Sequence, residues 1–160
     1  MTHALLLTLV ILAADGAGDA ASVPAGDRAQ SPGSTSPLEA DNYAIRLAAK
    51  GPYSVGRQGA VIVTVNARKG FHVNAGFPVT FKPEGSVGLE LAAQRLKVTA
   101  DRKTLCEGST EDACAAEYSV PVTPARRGSV KLAGTFSFSV CTSRTCVIKK
   151  VQIALPLQVD

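Results

Sequence analysis

The sequence has few of the side chains on which catalytic and nucleic-acid-binding sites usually depend. It contains no Trp, one Met and two His, and aromatic residues make up 5% of its 160 residues. The net charge of +4 is mild, and the Lys and Arg residues are scattered rather than clustered, so we expect no nucleic-acid partner. The sequence also lacks a nucleophile elbow, a phosphate-binding loop and paired carboxylates at catalytic spacing, which argues against a hydrolase.

Metal binding is disfavoured for a related reason. The four cysteines form a C-x7-C pair, Cys106 and Cys114, and a C-x4-C pair, Cys141 and Cys146. Neither spacing is typical of zinc sites, and His72 is the one histidine outside the extreme N-terminus. We therefore expect no metal and no other cofactor.

The N-terminal residues indicate export. Residues 4–14, ALLLTLVILAA, form an apolar run too short to span a bilayer comfortably, and small residues follow it, which predicts a signal peptide over residues 1–21. Because MTH carries no Lys or Arg, an uncleaved anchor or a wrongly assigned start codon is the alternative. Residues 22–41 are rich in Ala, Gly, Ser and Pro and predict a flexible tether. We expect a periplasmic or secreted product that does not span the membrane once the signal is removed.

The remaining residues, 42–160, have the pattern of one all-β domain. A chain with 46% hydrophobic residues and this length can build one core. Short β-branched or alternating runs, separated by turn-forming segments, predict an immunoglobulin-like two-sheet β-sandwich, with a closed barrel as the alternative. Pro121 and Pro156 fall inside two runs and predict sheet edges or bulges there. The predicted strands cover residues 43–49, 60–67, 71–74, 78–83, 89–100, 118–124, 129–140 and 147–159.

The stretch FSFSVCTSRTCVIKKVQI, residues 136–153, predicts a β-hairpin with the four-residue loop TSRT. In such a hairpin Cys141 and Cys146 lie opposite each other, at a Cα separation of about 4.5–5.5 Å that suits a disulfide. Counting by twos puts Phe136, Phe138 and Val140 on the core face, together with Val147 and Val151 of the second strand. Both thiols are then expected to point away from the core, on a polar face.

Two interpretations of this pair stay open from the residues alone. A disulfide that closes so short a loop contributes less than about 3 kcal/mol, and exposed bonds of this kind are easily reduced. Arg144, Lys149 and Lys150 lie nearby in sequence and would stabilise a thiolate, although exposed basic residues are also ordinary surface residues. A redox pair and a structural cross-link are therefore both consistent with the pattern.

From Lys69 onward the chain resembles the N-terminal, periplasmic immunoglobulin-like domain of the thiol:disulfide interchange protein DsbD, the disulfide bond corrector family. The resemblance lies in GFHVNAGFPVTFKP at 70–83, EYSVPVTP at 117–124 and TFSFSVCTSRTCVIKKVQIALPL at 135–157. It implies that Cys141 and Cys146 are the catalytic pair, with Cys141 reacting first and Cys146 resolving. It also implies a membrane thiol reductase or a thioredoxin-like periplasmic protein as partner, and we expect the protein to be a monomer.

The second pair of cysteines lies in TADRKTLCEGSTEDACAAEY, residues 99–118. In the resembling family this stretch corresponds to a cap loop over the active-site disulfide, with Leu105 as the large apolar side chain nearest the expected position. Four cysteines allow three pairings; Cys106 with Cys114 and Cys141 with Cys146 is preferred, because each pair can close its own loop.

His72, Asn74 and Tyr118 are further candidates for lining the site, with structural roles as the alternative. The function expected from the sequence is thus extracytoplasmic thiol–disulfide exchange. The competing interpretation is a non-catalytic immunoglobulin-like envelope or binding module braced by two disulfides.

Overall fold

A computed structural model describes residues 37–160. These residues form eleven β-strands and no helix, and all the paired strands run antiparallel. The strands are β1 (Leu38–Glu39), β2 (Tyr43–Lys50), β3 (Gly59–Ala67), β4 (His72–Val73), β5 (Thr80–Pro83), β6 (Leu89–Glu90), β7 (Leu96–Lys97), β8 (Ala100–Leu105), β9 (Ala113–Pro124), β10 (Gly128–Cys141) and β11 (Cys146–Val159).

The strands form two layers that share one connecting strand. The first layer is β1-β2-β3-β9, with β8 and β6 on the far side of β9, and the second layer is β11-β10-β5-β7. The two-residue strand β4 pairs with β9 on one side and with β10 on the other, so it joins the layers at one end. Within the described part of the chain β1 and β7 do not pair with each other, so the strands do not close into a barrel. The predicted immunoglobulin-like β-sandwich is confirmed.

The core lies between the layers and follows the two-residue period of the strands. Val61, Val63 and Val65 of β3 are fully buried, as are Phe136 and Phe138 of β10. Aromatic rings join the layers: Tyr118 of β9 packs edge-on against Phe136 with ring centroids 5.6 Å apart, and Tyr43 of β2 packs against Phe138 at 5.0 Å. Burying side chains of this size contributes about 1.5–3 kcal/mol each, so apolar burial holds the two layers together.

Two segments differ from the sequence-based prediction. Residues 89–100, predicted as one strand, form β6, β7 and the first residue of β8. Residues 99–118, predicted as a cap loop, are largely a β-hairpin, because β8 pairs with the first half of β9. The strand β8, ADRKTL, is exposed at all positions after the first, so it lacks the apolar alternation by which strands are recognised.

Pro121 and Pro156 lie where the sequence predicts. Pro121 pairs with Ala60 of β3, but on its other side the partners β8 and β6 end before and begin after it. Pro156 is on β11, which among the described strands pairs with β10 alone. Both prolines therefore occupy positions without a ladder partner on one side, where a missing N–H donor costs little.

The N-terminal boundary of the domain lies slightly before the predicted one. Leu38 and Glu39, which belong to the predicted tether, form β1 and pair with Ile45 and Ala44 of β2. Glu39 also forms an ion pair with Arg68. The predicted signal peptide and residues 22–36 of the tether lie outside the described residues. Between residues 37 and 160, the chain contains no helix with the length and apolar character needed to cross a membrane.

Candidate functional site

The tip of the β10–β11 hairpin carries the first disulfide. Its turn is held by Thr142, whose backbone N–H donates to the carbonyl of Thr145 at 2.9 Å and whose hydroxyl accepts from the backbone N–H of Thr145 at 3.1 Å. Directly before and after this turn, Cys141 and Cys146 are paired in register and joined by a disulfide, with their Cα atoms 3.9 Å apart. The predicted hairpin and its loop TSRT are therefore present.

The two cysteines differ in exposure, which corrects the expectation that both lie on an open polar face. Cys141 is only 2% exposed, whereas Cys146 is exposed. The difference follows from their strands: β10 is flanked by β4 at this end, and β11 is an edge strand, with no further strand paired beside the disulfide in the described part of the chain. For the same reason Val147, predicted in the core, is 44% exposed, while Phe138 and Val140 are buried as predicted.

Two side chains of the β4 region lie beside the disulfide. His72 is opposite Cys141 in the β4–β10 pair, so both side chains emerge on the same face. The amide of Asn74 donates from Nδ2 to the Sγ atom of Cys146 at 3.8 Å, and its Oδ1 accepts from the backbone N–H of Gly76 at 3.1 Å. A held amide donor at this sulfur favours negative charge there, which is the charge of a thiolate.

The basic residues near the pair are placed unequally. Lys149 is opposite Phe138, and its Nζ atom lies 5.9 Å from the centre of the Tyr43 ring. It therefore projects from the face opposite to that of Cys146, toward Tyr43 rather than toward the disulfide. Arg144 is exposed in the turn, and Lys150 shares the face of Cys146.

The second disulfide joins Cys106 and Cys114 at the base of the β8–β9 turn. The preferred pairing of the four cysteines is thus the one in the structure. The turn is ordered by Ser109, whose hydroxyl accepts from the backbone N–H of Asp112 at 2.8 Å, and by a 2.8 Å bond from the Cys106 N–H to the Asp112 carbonyl.

An open groove of about 500 Å³ runs between this second disulfide and the hairpin tip. Its lining includes Cys106, Cys114, His72, Asp112 and Ser143. The Nε2 atom of His72 lies 3.4 Å from Oδ1 of Asp112, so the carboxylate orients the imidazole between the two disulfides.

Two predicted site residues lie elsewhere. Leu105, expected near the disulfide as a cap, is 48% exposed and does not line the groove. Tyr118 is 1% exposed and belongs to the core, where it packs on Phe136. Its hydroxyl has no hydrogen-bond partner among residues 37–160, and burial raises its pKa to about 12.

Asp112 was not recognised from the sequence. It is one of three acidic residues in CEGSTEDAC, and nothing in the local pattern separates it from its neighbours. Its contact with His72 arises because Val73 pairs with Ala113, a long-range pairing without a local signal. Among the described residues no group of three or more His, Cys, Asp or Glu side chains is arranged to hold a metal ion.

Fold and site together define a class of protein: a small all-β sandwich with two disulfides, one of them at an edge-strand hairpin tip. No protein-family model and no curated protein matches the chain. Among solved structures, it is similar to AggA, the major subunit of aggregative adherence fimbriae type I from Escherichia coli, at 12% identity and a TM-score of 0.37, over 75% of this chain and 97% of that chain. That similarity is too low to support an inference of function.

Proposed function

We propose that this protein is an extracytoplasmic thiol–disulfide exchange domain that relays reducing equivalents through Cys141 and Cys146. The observation that carries the proposal is the asymmetry of this disulfide, in which the exposed Cys146 is bonded to the buried Cys141. Exchange requires a sulfur that an external thiolate can reach and a second sulfur that leaves and later returns. A hairpin tip on an edge strand meets both requirements.

The exposures also support a particular order of the steps. An incoming thiolate reaches Cys146, forms a mixed disulfide with it, and releases Cys141 as a thiolate; attack by Cys141 reverses the step. This order is the opposite of the one implied by resemblance, in which Cys141 reacts first. Once the pair is reduced, the Asn74 amide that donates to the Cys146 sulfur stabilises the Cys146 thiolate, which attacks the next disulfide; the exchange needs no cofactor beyond the thiols.

The proposal includes a compartment, which the disulfides support, and a partner, which the resemblance suggests. Disulfides persist in oxidising compartments, and the structure contains two, which supports an extracytoplasmic location, with the periplasm or the cell exterior as the proposed sites. The resemblance to the DsbD N-terminal domain suggests a membrane thiol reductase or a thioredoxin-like protein as the redox partner. We propose that the domain acts as a monomer.

The competing function is a non-catalytic immunoglobulin-like module with two structural disulfides. The observation that favours it is that each disulfide closes its own hairpin, and that the Cys106–Cys114 turn is well supplied with backbone hydrogen bonds. In that case both disulfides should be inert, and the exposure of Cys146 would have no chemical consequence.

Graded reduction distinguishes the two functions. The protein is equilibrated in dithiothreitol buffers of decreasing potential, alkylated, and mapped by mass spectrometry, with Cys106–Cys114 as the internal reference. We expect Cys141–Cys146 to open first, above the potential of about −300 mV below which structural disulfides typically lie. If both bonds resist reduction equally, the exchange function is wrong and the structural module is correct.

A second experiment tests the order of attack. The Cys141→Ala variant keeps the exposed thiol, and the matched Cys146→Ser variant keeps the buried one. We expect the first variant to form mixed disulfides rapidly with oxidised thioredoxin-like proteins and the second to form them slowly, because burial restricts approach. Equal rates, or a faster Cys146→Ser variant, would restore the order implied by resemblance.

A further inference from the structure

The edge strand β11 continues past the reactive disulfide with one side unoccupied. Its ladder partner is β10, and on the other side the backbone pairing among the described residues is a single bridge from Tyr53 to Val159 at the far end. The half of β11 next to the disulfide, Cys146–Lys150, therefore presents unpaired backbone groups. Such an edge is a template for pairing with another strand.

The turn determines which backbone groups face this edge. The bond from the Thr142 N–H to the Thr145 carbonyl makes the next pair, Cys141 and Cys146, a non-hydrogen-bonded one, because the two kinds of pair alternate along an antiparallel ladder. The N–H and C=O groups of Cys146, Ile148 and Lys150 then point away from β10.

Two further observations agree that these backbone groups point away from β10. The backbone N–H of Asn74 donates to the carbonyl of Ser139 at 3.0 Å; Ser139 is opposite Ile148, so this pair directs its backbone groups outward on both strands. Pro156 lies an even number of residues from Cys146, at a position whose N–H would face outward, where proline removes no ladder bond.

The side chains at this half of the edge are apolar and basic. Val147 is 44% exposed on one face and Ile148 is 57% exposed on the other. Arg144 and Lys150 flank them, and within residues 37–160 neither has a carboxylate at ion-pairing distance. Apolar surface beside unpaired basic groups favours an extended segment that carries both apolar and acidic residues.

We propose that residues 146–150 of β11 bind an extended, acidic segment of the redox partner as an added β-strand, which places a partner cysteine opposite Cys146. This docking rests on the proposed exchange function. A residue opposite Cys146 on the added strand would be in a hydrogen-bonded pair, with Cα atoms about 5.5 Å apart and side chains on one face. That separation lies within the range of about 4.4–6.8 Å that a disulfide bridges.

The exchange balances without a further reactant. The partner thiolate attacks Sγ of Cys146, so a partner–Cys146 bond forms, the Cys141–Cys146 bond breaks, and Cys141 leaves as a thiolate that takes up a proton. A second partner thiolate then attacks the partner sulfur of the mixed disulfide and releases Cys146. The partner dithiol is oxidised to a disulfide, and the domain gains the two electrons.

A second copy of this chain fits the edge less well. Two β11 edges paired with each other would bring Arg144 and Lys150 of one copy near the same residues of the other, and like charges across a strand pair are destabilising. An acidic segment instead gains opposite-charge pairs at those positions.

The test uses the reduced Cys141→Ala variant and two activated thiols, each carrying a thionitrobenzoate leaving group. One is a ten-residue peptide of alternating Val and Glu with a central Cys, and the other is glutathione. Release of thionitrobenzoate gives the rate at Cys146. We expect the peptide to react about tenfold faster than glutathione, which corresponds to about 1.4 kcal/mol of docking.

Four further substitutions in this background locate the docking. Ile148→Pro removes an outward N–H and leaves the β10 ladder intact, and Lys150→Glu reverses a charge; both should abolish the advantage of the peptide. Two matched controls should retain the rate advantage of the peptide. Ala154→Pro changes a position farther along β11 whose N–H also points outward, and Lys131→Glu reverses a charge on β10. For every variant the peptide rate is divided by the rate of the same variant with activated glutathione, so that any effect of the substitution on the reactivity of Cys146 itself cancels.

Hydrogen exchange provides a readout that does not depend on these variants. Upon peptide conjugation, the amides of Ile148 and Lys150 should become protected, whereas those of Val147 and Lys149 should already be protected in the free protein. The docking is wrong if the peptide reacts no faster than glutathione, if the controls lose as much as the test variants, or if the protection pattern does not alternate. If glutathione itself does not react with Cys146, the proposed exchange function fails, and the docking fails with it.

Discussion

Removing the Cys141–Cys146 disulfide should cost the domain little stability. The two disulfides span sequence separations of 5 and 8 residues. In the chain-entropy model, loops of these sizes correspond to about 2 and about 2.5 kcal/mol. The two cross-links should therefore stabilise the fold almost equally, and any difference in how readily they are reduced must come from access and environment.

The comparison uses two double variants. Cys141→Ala with Cys146→Ser avoids placing a hydroxyl at the buried position, where an unpartnered group would cost a further 1–3 kcal/mol or so. Cys106→Ser with Cys114→Ser is the matched variant, since both of these cysteines are partly buried. Each should lower the free energy of unfolding by about 2–3 kcal/mol and leave a folded sandwich.

Urea unfolding followed by far-ultraviolet circular dichroism measures both values. The slope of free energy against urea should be unchanged in a variant that loses stability without losing native structure. A loss above about 5 kcal/mol, or an unfolded protein, on removal of Cys141–Cys146 alone would refute the reasoning, because such a cost exceeds the usual range for a disulfide. The Cys141–Cys146 disulfide would then be a structural cross-link rather than an exchange site.

Two further predictions concern the core. Tyr118→Phe should raise the free energy of unfolding by about 1–3 kcal/mol at neutral pH, because it removes a buried hydroxyl that has no hydrogen-bond partner in residues 37–160. The pKa of Tyr118 is raised to about 12, against 10.0 for the unperturbed group, so its contribution to the free energy of unfolding is present below pH 10 and is lost as the pH rises through about 12. Between pH 8 and pH 11, urea titrations should therefore show a smaller loss of stability for Tyr118→Phe than for the parent protein. An equal loss in both proteins would contradict the assignment. Gly134→Ala should destabilise by several kcal/mol, of order 3, because its Cβ would collide with the Lys82 carbonyl and lie 2.8 Å from the Phe81 ring; an unchanged melting temperature would refute this.

The strand pattern and the hairpin could be predicted from the sequence because they depend on local information. The alternation of Phe136, Phe138 and Val140, and the turn TSRT between Cys141 and Cys146, encode a buried strand face and a hairpin within a few residues. Pro121 and Pro156 predict strand positions that lack a ladder partner on one side. These features follow from backbone chemistry and side-chain period, which act over short separations.

The character of the candidate site was decided by tertiary structure. Cys141 is buried because β4, some seventy residues earlier in the chain, pairs beside it, whereas Cys146 and Val147 are exposed because no strand of residues 37–160 pairs with this half of β11 on its outer side. His72 meets Asp112 through the β4–β9 pairing. The two-residue period of a strand determines which residues share a face, but the strands that lie beside it are determined by long-range pairing. In this protein, that pairing decides which sulfur an incoming thiolate can reach.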